Sequence, residues 1–255
     1  MPREKLKVGI NSSALLEFGG FLSLEEIQPD FVELSLADLR PDEWMVAVEK
    51  LEGFDISIHA PYQNSPVKET RIDLSNSVGI RMAKKVIEFA EKVDAMLVVF
   101  HCGDAGNSLS SLVKNLREVE RGDTPVVIEN LYTDGVSRAG ETPEEILSIL
   151  ENCRRAEANV DVGHAYIASL QRRRQGMVEE FFRELNGFIA HMHVHNNFGI
   201  WRRPYDEHNP LFRGLIDYGR LRSVMRKSGV RTAVLEVKNG SMDEIIQSLE
   251  FLRSF

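Results

Sequence analysis

FIAHMHVH, residues 188–195, is a short apolar run with histidine at positions 191, 193 and 195. A strand sends alternate side chains to opposite faces, so the three imidazoles share one face and Met192 and Val194 share the other. If the histidine face points inward, a column of imidazoles climbs the strand to its C-terminal mouth. Similar runs end in a polar residue elsewhere: FDISIH (54–59), MLVVFH (96–101), VVIE (126–129), NVD (159–161) and AVLE (233–236). His59, His101, Glu129, Asp161 and Glu236 thus mark successive strand ends. All seven histidines fall in or just after such runs, and none falls in a segment that reads as helix. His, Asp and Glu gathered at one end of a parallel barrel are the ingredients of a metal site.

Working outward, apolar runs and helical periodicities alternate along the whole chain. Strands are expected at 6–11, 31–36, 54–59, 95–101, 125–130, 159–162, 188–194 and 232–237. They are short, β-branched and apolar enough to be buried on both faces, as parallel strands are. Helices are expected over 41–51, 77–93, 142–153, 178–186, 217–228 and 241–252. In the second of these, Ile80, Ala83, Ile87 and Ala90 line one face. Thr142 before Pro143-Glu144-Glu145 is a helix start with a cap, a proline in first position and a glutamate in third. Ser241 before Met242-Asp243-Glu244 is another. Eight βα units in 255 residues predict α/β architecture, a single (β/α)8 TIM barrel over 1–255. A doubly wound open sheet fits less well. The chain has no glycine-rich dinucleotide loop, and polar residues mark all the later strand ends rather than one crevice. The longest interruption, 195–216, is rich in His, Asn, Arg, Pro and Trp, as functional loops on that face often are.

The bulk numbers fit a soluble globular enzyme: hydrophobic content is 43% and charged content 27%. No apolar run approaches the roughly 20 residues that span a bilayer, so no membrane role is expected. The charged start MPREKLKVGINSS lacks a signal-peptide core. Two cysteines, Cys102 and Cys153, make no disulfide framework, and cytoplasmic localisation is the expectation. Cys102 would point away from His101 and pack. A net charge of −8 argues against a broad nucleic-acid surface.

Taken singly, a strand-end carboxylate usually caps a helix or pairs with lysine, and a buried histidine is usually a hydrogen-bonded core residue. Together, buried carboxylates and imidazoles at one mouth are costly to desolvate unless a cation offsets them. Asp161 and His164 are three apart at a strand exit, and Asp206 and His208 are presented by one short loop. Arg40, Arg138, Arg202 and Arg203 lie in loops that could reach phosphates. Trp201 could stack on a base or fold its loop back, and Arg172-Arg173-Arg174 reads as a solvated helix face.

HAPY (59–62), FHCGD (100–104), IENL (128–131), DVGHAY (161–166), HVHNN (193–197), DEH (206–208) and LEVKN (235–239) resemble the xylose-isomerase-like TIM barrels, AP endonuclease family 2. That superfamily includes endonuclease IV, sugar epimerases and inosose-processing enzymes. The resemblance runs through nearly the whole chain. It implies a metal set of Glu129, Asp161, His193 and Glu236 around one divalent ion in the epimerases and isomerases. In the endonuclease IV branch it implies three zinc ions. His59, His101 and Glu129 would hold the first. Glu129 would bridge to a second on Asp161, His193 and Glu236, and His164, Asp206 and His208 would hold the third. Mn²⁺ would also suit the carboxylate-rich second position.

The implied activity is phosphoester hydrolysis by metal-activated water, on abasic-site DNA or a small-molecule phosphoester, with Glu129 and Glu236 as catalytic residues. Tyr62, Asn196, Arg202 and Arg203 are expected to bind substrate. Asn196 stands where the endonuclease branch has aspartate, and Tyr62 where it has a DNA-penetrating tyrosine. The alternative is a sugar or sugar-phosphate isomerase or epimerase, with Glu129 and Glu236 moving a proton on opposite faces of a carbon beside a carbonyl.

Overall fold

A computed structural model describes residues 5–17, 23–77, 79–106, 109–201 and 203–255. Its strands are β1 (Lys7–Asn11), β2 (Phe31–Ser35), β3 (Ile56–His59), β4 (Val98–His101), β5 (Val126–Glu129), β6 (Glu157–Asp161), β7 (Ile189–Val194) and β8 (Thr232–Leu235). They pair in parallel and in chain order, and β8 closes on β1 to make a barrel. The helices are α1 (Ser12–Glu17), α2 (Leu24–Ile27), α3 (Trp44–Glu49), α4 (Gly79–Lys92), α5 (Leu109–Val119), α6 (Pro143–Glu151), α7 (Val162–Gln171), α8 (Met177–Glu184), α9 (Tyr218–Lys227) and α10 (Met242–Arg253). None among the described residues is long and apolar enough to cross a membrane.

The caps read from sequence are formed. Thr142 accepts the Glu145 amide at the start of α6, and Ser241 and Glu244 make a reciprocal capping box on α10. Two long helices carry weaker signals. The amphipathic α5 lies in a segment where the sequence reading leaves room for a helix without naming one. α7 is buried from Val162 to Ala165 and again at Ile167, Ala168 and Ser169, so it has almost no polar face. Period-3.6 amphipathicity cannot report a helix covered on several sides.

Strand alternation divides the core in two. Val8, Ile10, Val32, Leu34, Ile58 and Phe100 point outward and pack with the helices. There Phe181 and Phe182 of α8 are both buried, each contributing roughly 1.5–3 kcal/mol by area. Cys102 lies in this outer layer, as its parity predicts. Inside, Leu97, Val99, Val127 and Ala190 form a separate apolar floor. Phe31 lies across β1, its ring 2.6 Å from where a Cβ on Gly9 would be, so a side chain there would displace the ring. β7 carries a register shift opposite Ala158 and Asn159. Above the floor the interior turns polar.

The run Arg172-Arg173-Arg174 is not simply solvated. Arg172 reaches Glu141 at 2.8 Å, and Arg174 pairs with Glu144 and Glu180 at 2.6 Å each, tying α6, α7 and α8 together.

Candidate metal centre

The polar interior rises in two tiers. The lower one holds Asn11, Glu33, Ser57, Asn159 and His191, all buried. The upper one opens into a cavity of about 270 Å³ at the C-terminal mouth. Of the nine side chains expected to bind metal, His59, His101, Glu129, His164, Asp206, His208 and Glu236 line this cavity, while Asp161 and His193 are fully buried.

Glu129 is the hub. Its carboxylate lies 3.5 Å from His59 Nε2 and from His101 Nε2, 3.0 Å from His164 Nδ1 and 3.1 Å from His193 Nδ1. His193 Nδ1 also faces Glu236 at 3.2 Å and Asp161 at 3.9 Å. Asp206 lies 2.7 Å from His208 Nε2 and 3.3 Å from His164 Nε2. Donor atoms fall within 4.8 Å of one another in the sets His59–Glu129–His193, Asp161–His193–Glu236, Asp161–His164–His195 and His195–Asp206–His208.

Two features of this structure fit divalent metal. First, Glu129 Oε1, Asp161 Oδ2, His193 Nδ1, His195 Nδ1 and Asp206 Oδ1 are buried and make no aligned hydrogen bond, close as some of them lie to one another. Orphaned polar atoms are rare in interiors, and five in one place call for a cation. Second, three of the imidazoles are held by Nδ1 on backbone carbonyls. His59 Nδ1 bonds Ala60 O at 2.9 Å, His164 Nδ1 bonds Asn130 O at 3.1 Å, and His208 Nδ1 bonds Glu236 O at 2.9 Å. A carbonyl only accepts, so each Nδ1 carries the proton and each Nε2 keeps its lone pair for the cavity.

Charge is balanced internally. Burial pushes the Glu129 and Glu236 carboxyls up, but His193 and the other imidazoles hold both well below the ordinary 4.5. Burial likewise opposes charge on His193 and His164. Glu33 and Glu129 nevertheless raise the first well above 6.5, and Asp161 and Asp206 raise the second. His101 goes the other way, lowered by burial, which favours the neutral form a metal needs. Tyr62 stacks on His101 with ring centroids 4.9 Å apart.

As expected of the strand exit, a turn brings Asp161 and His164 together: His164 is in the first turn of α7, whose N-cap Asp161 accepts the His164 amide at 2.6 Å. Other expectations need correction. Asn196 does not face the cavity. Its Nδ2 donates to Leu211 O and Ile216 O, and its Oδ1 accepts from the Asn197 and Ile216 amides, so the side chain folds the loop after β7. Aspartate could not make the two donations. Arg203 lies exposed over the Tyr205 ring and off the cavity wall, Arg40 is exposed beside Glu69, and Trp201 is 81% exposed. Arg138 does reach the wall, paired with Asp104. Arg202 lies outside the described residues.

Three contributors stand outside the expected ligand set, and of these the sequence places only His195, in the imidazole column. Glu33 is buried on β2 beneath His193. Its signal was a lone charge inside the otherwise apolar FVELSL. His195 Nε2 sits 3.2 Å from Asp161 and 3.4 Å from Asp206, and its ring stacks on His208 at 4.2 Å. Gly163 makes room for it: a Cβ there would come within 1.9 Å of the ring. Lys238 lines the rim, on the same parity as Glu236, which could have found it.

The family model described as xylose isomerase-like TIM barrel matches residues 20–255, and the chain belongs to that family. Uncharacterized protein MJ1614 of Methanocaldococcus jannaschii is 24% identical, over 97% of this chain and 98% of that one. An AP endonuclease, family 2, from Brucella melitensis has a TM-score of 0.72 at 17% identity, covering 98% of this chain and 99% of its own. The 3-keto-D-glucoside 4-epimerase of E. coli has a TM-score of 0.69 at 14% identity, covering 98% and 100%. At these identities the structural likeness establishes the fold.

Proposed function

We propose that this chain is a metal-dependent hydrolase of phosphoesters whose centre takes more than one divalent ion. The observation that carries the reading is the position of Asp206 and His208. They stand 2.7 Å apart on the cavity wall, His208 stacked against His195 and Asp206 within reach of His164, at a place a single-ion isomerase does not need. His59, His101 and Glu129 would hold one ion, Asp161, His193 and Glu236 a second, and His164, His195, Asp206 and His208 a third. Imidazole-rich sets with few carboxylates suit zinc, and the second set would also accept manganese. Bound there, the ions would supply activated water and neutralise charge on a phosphoryl group.

The chain's own groups do the rest. Glu129 and Glu236, both beside His193 Nδ1, would orient the attacking water. Lys238 and Arg138 present positive charge at the wall for the phosphate. Tyr62, flat on His101, closes one side against solvent. A cavity of about 270 Å³ and a net charge of −8 favour a small phosphoester, or a single extruded abasic nucleotide, over a grip on long duplex. Glu129 and Glu236 facing one imidazole nitrogen at 3.1 and 3.2 Å also favour a second reading, a sugar isomerase or epimerase with one ion.

Metal content per chain, measured on protein purified without added metal, separates the two. Two or three zinc ions are expected, and His208→Ala should lose one of them with most phosphodiesterase activity on abasic-site DNA or a small diester. One ion per chain, with ketose isomerisation that survives His208→Ala, would overturn the hydrolase.

A further inference from the structure

Every imidazole of the centre whose far nitrogen has a recorded bond leans on a backbone carbonyl, except His193. His193 is backed from below by a carboxylate: its Nε2 lies 3.0 Å from Glu33 Oε1, and its Nδ1 faces Glu129, Asp161 and Glu236. We propose that Glu33 is a positioning residue for the metal centre, fixing His193 with its proton on Nε2 and its Nδ1 lone pair aimed at the ion. This rests on the metal position proposed for Asp161, His193 and Glu236.

The geometry separates this role from a metal site of Glu33 itself, though Glu33, His191 and His193 converge closely enough to suggest one. Both Glu33 oxygens are already supplied with donors. Asn11 Nδ2 gives to Oε1 at 3.0 Å, while His191 Nε2 and Ser57 Oγ reach Oε2 at 3.1 and 3.4 Å. Neither oxygen is among the buried orphans, whereas His193 Nδ1 is. A carboxylate filled with donors has no lone pair to offer a cation. The unsatisfied atoms of the proposed ligands lie one tier higher.

Glu33 is itself held in register. Asn11 Oδ1 accepts from the Ser13 amide at 3.0 Å and from Ser13 Oγ at 2.7 Å, so the Asn11 amide can only turn its NH2 toward Glu33. β1 pairs Asn11 with Glu33, and β2 pairs Glu33 with Ser57. The carboxylate is therefore set by strand register, and His193 by the carboxylate. A charged acceptor also makes the imidazole a stronger ligand than a carbonyl does.

The test is a cobalt titration of the full chain, stripped by chelator. Ion affinity is read by chelator competition and site geometry by the visible cobalt bands, for wild type, Glu33→Gln, His193→Ala and His208→Ala. Glu33→Gln should weaken, by about 10–100-fold, the binding step that His193→Ala abolishes. It should shift that step's cobalt bands and leave the step lost in His208→Ala unchanged. A general loss of packing would weaken every step alike and overturn the proposal, as would wild-type affinity and bands in Glu33→Gln. Should that variant not fold, ¹⁵N imidazole spectra of zinc-loaded wild type decide. A proton on His193 Nε2 supports the role, and one on Nδ1 overturns it. A wild-type chain that takes up no metal defeats the underlying reading, and is recognised before any variant is compared.

Discussion

Glu129→Gln removes one negative charge and almost no volume from the middle of the site. Nitrogens of His59, His101, His164 and His193 lie 3.0–3.5 Å from that carboxylate, and Asn159 Nδ2 donates to it at 3.0 Å. The amide can keep the Asn159 bond, but its NH2 cannot share two cations, so the sets around His59 and around His193 both lose a charged ligand. An ion at a hundred times its Kd stabilises a fold by about 2.7 kcal/mol. Each kcal/mol moves the Tm of a chain this size by roughly 2–4 °C. Stripped wild type titrated with zinc to that excess should therefore gain about 5–11 °C for one such ion. Loss of a mere outer partner costs about 10–100-fold in affinity, and loss of the ligand itself costs more. At a hundredfold loss the same zinc leaves about 0.4 kcal/mol, a shift of about 1–2 °C. Differential scanning calorimetry reads this directly if each protein is compared with its own metal-free form. A zinc-induced gain in Glu129→Gln equal to that of wild type would refute the placing of Glu129 at the hub.

The metal-free chain should have an inverted pH profile. His193 and His164 are raised in the fold, so their contribution is complete below the ordinary 6.5 and is lost as pH climbs through their folded values. Glu129 and Glu236 are lowered, so theirs is complete above 4.5 and lost in acid. Stability of stripped protein should peak between those two values, while zinc affinity rises with pH as protons leave the same imidazoles; stripped protein that gains stability from pH 6.5 to 9 would contradict this. Asn196→Ala strands two buried carbonyls and two amides, each costing about 1–3 kcal/mol if left unpaired. Partial relaxation toward water should still leave a loss of about 3 kcal/mol, roughly 6–12 °C in Tm, with new proteolytic cuts in 197–216. Asn196→Asp should not restore it, because the Leu211 and Ile216 carbonyls need donors.

Period-2 alternation made the barrel legible. Val99 and His101, or Val127 and Glu129, share a face whatever the rest of the chain does, and eight strands alternating with helical stretches favoured a closed barrel over an open sheet. The same local rule marked His59, His101, Glu129, Asp161, His193 and Glu236 as neighbours at a mouth; the family resemblance, not alternation, put the D-x-H of Asp206 and His208 with them. It also put Cys102 among the outer hydrophobes.

What it could not supply was anything that depends on two distant segments meeting. Glu33 reads as one charge in an apolar strand until closure sets it under His193, 160 residues away. Asn196 reads as a substrate contact until Leu211 and Ile216 return to it. The nitrogen each imidazole offers is decided by carbonyls such as Ala60, Asn130 and Glu236, whose positions follow from register and loop path. Alternation is a property of one strand's own dihedral angles, so sequence determines which side chains face the interior. Which of them touch is fixed by barrel closure and packing, and those distances exist only in the tertiary structure.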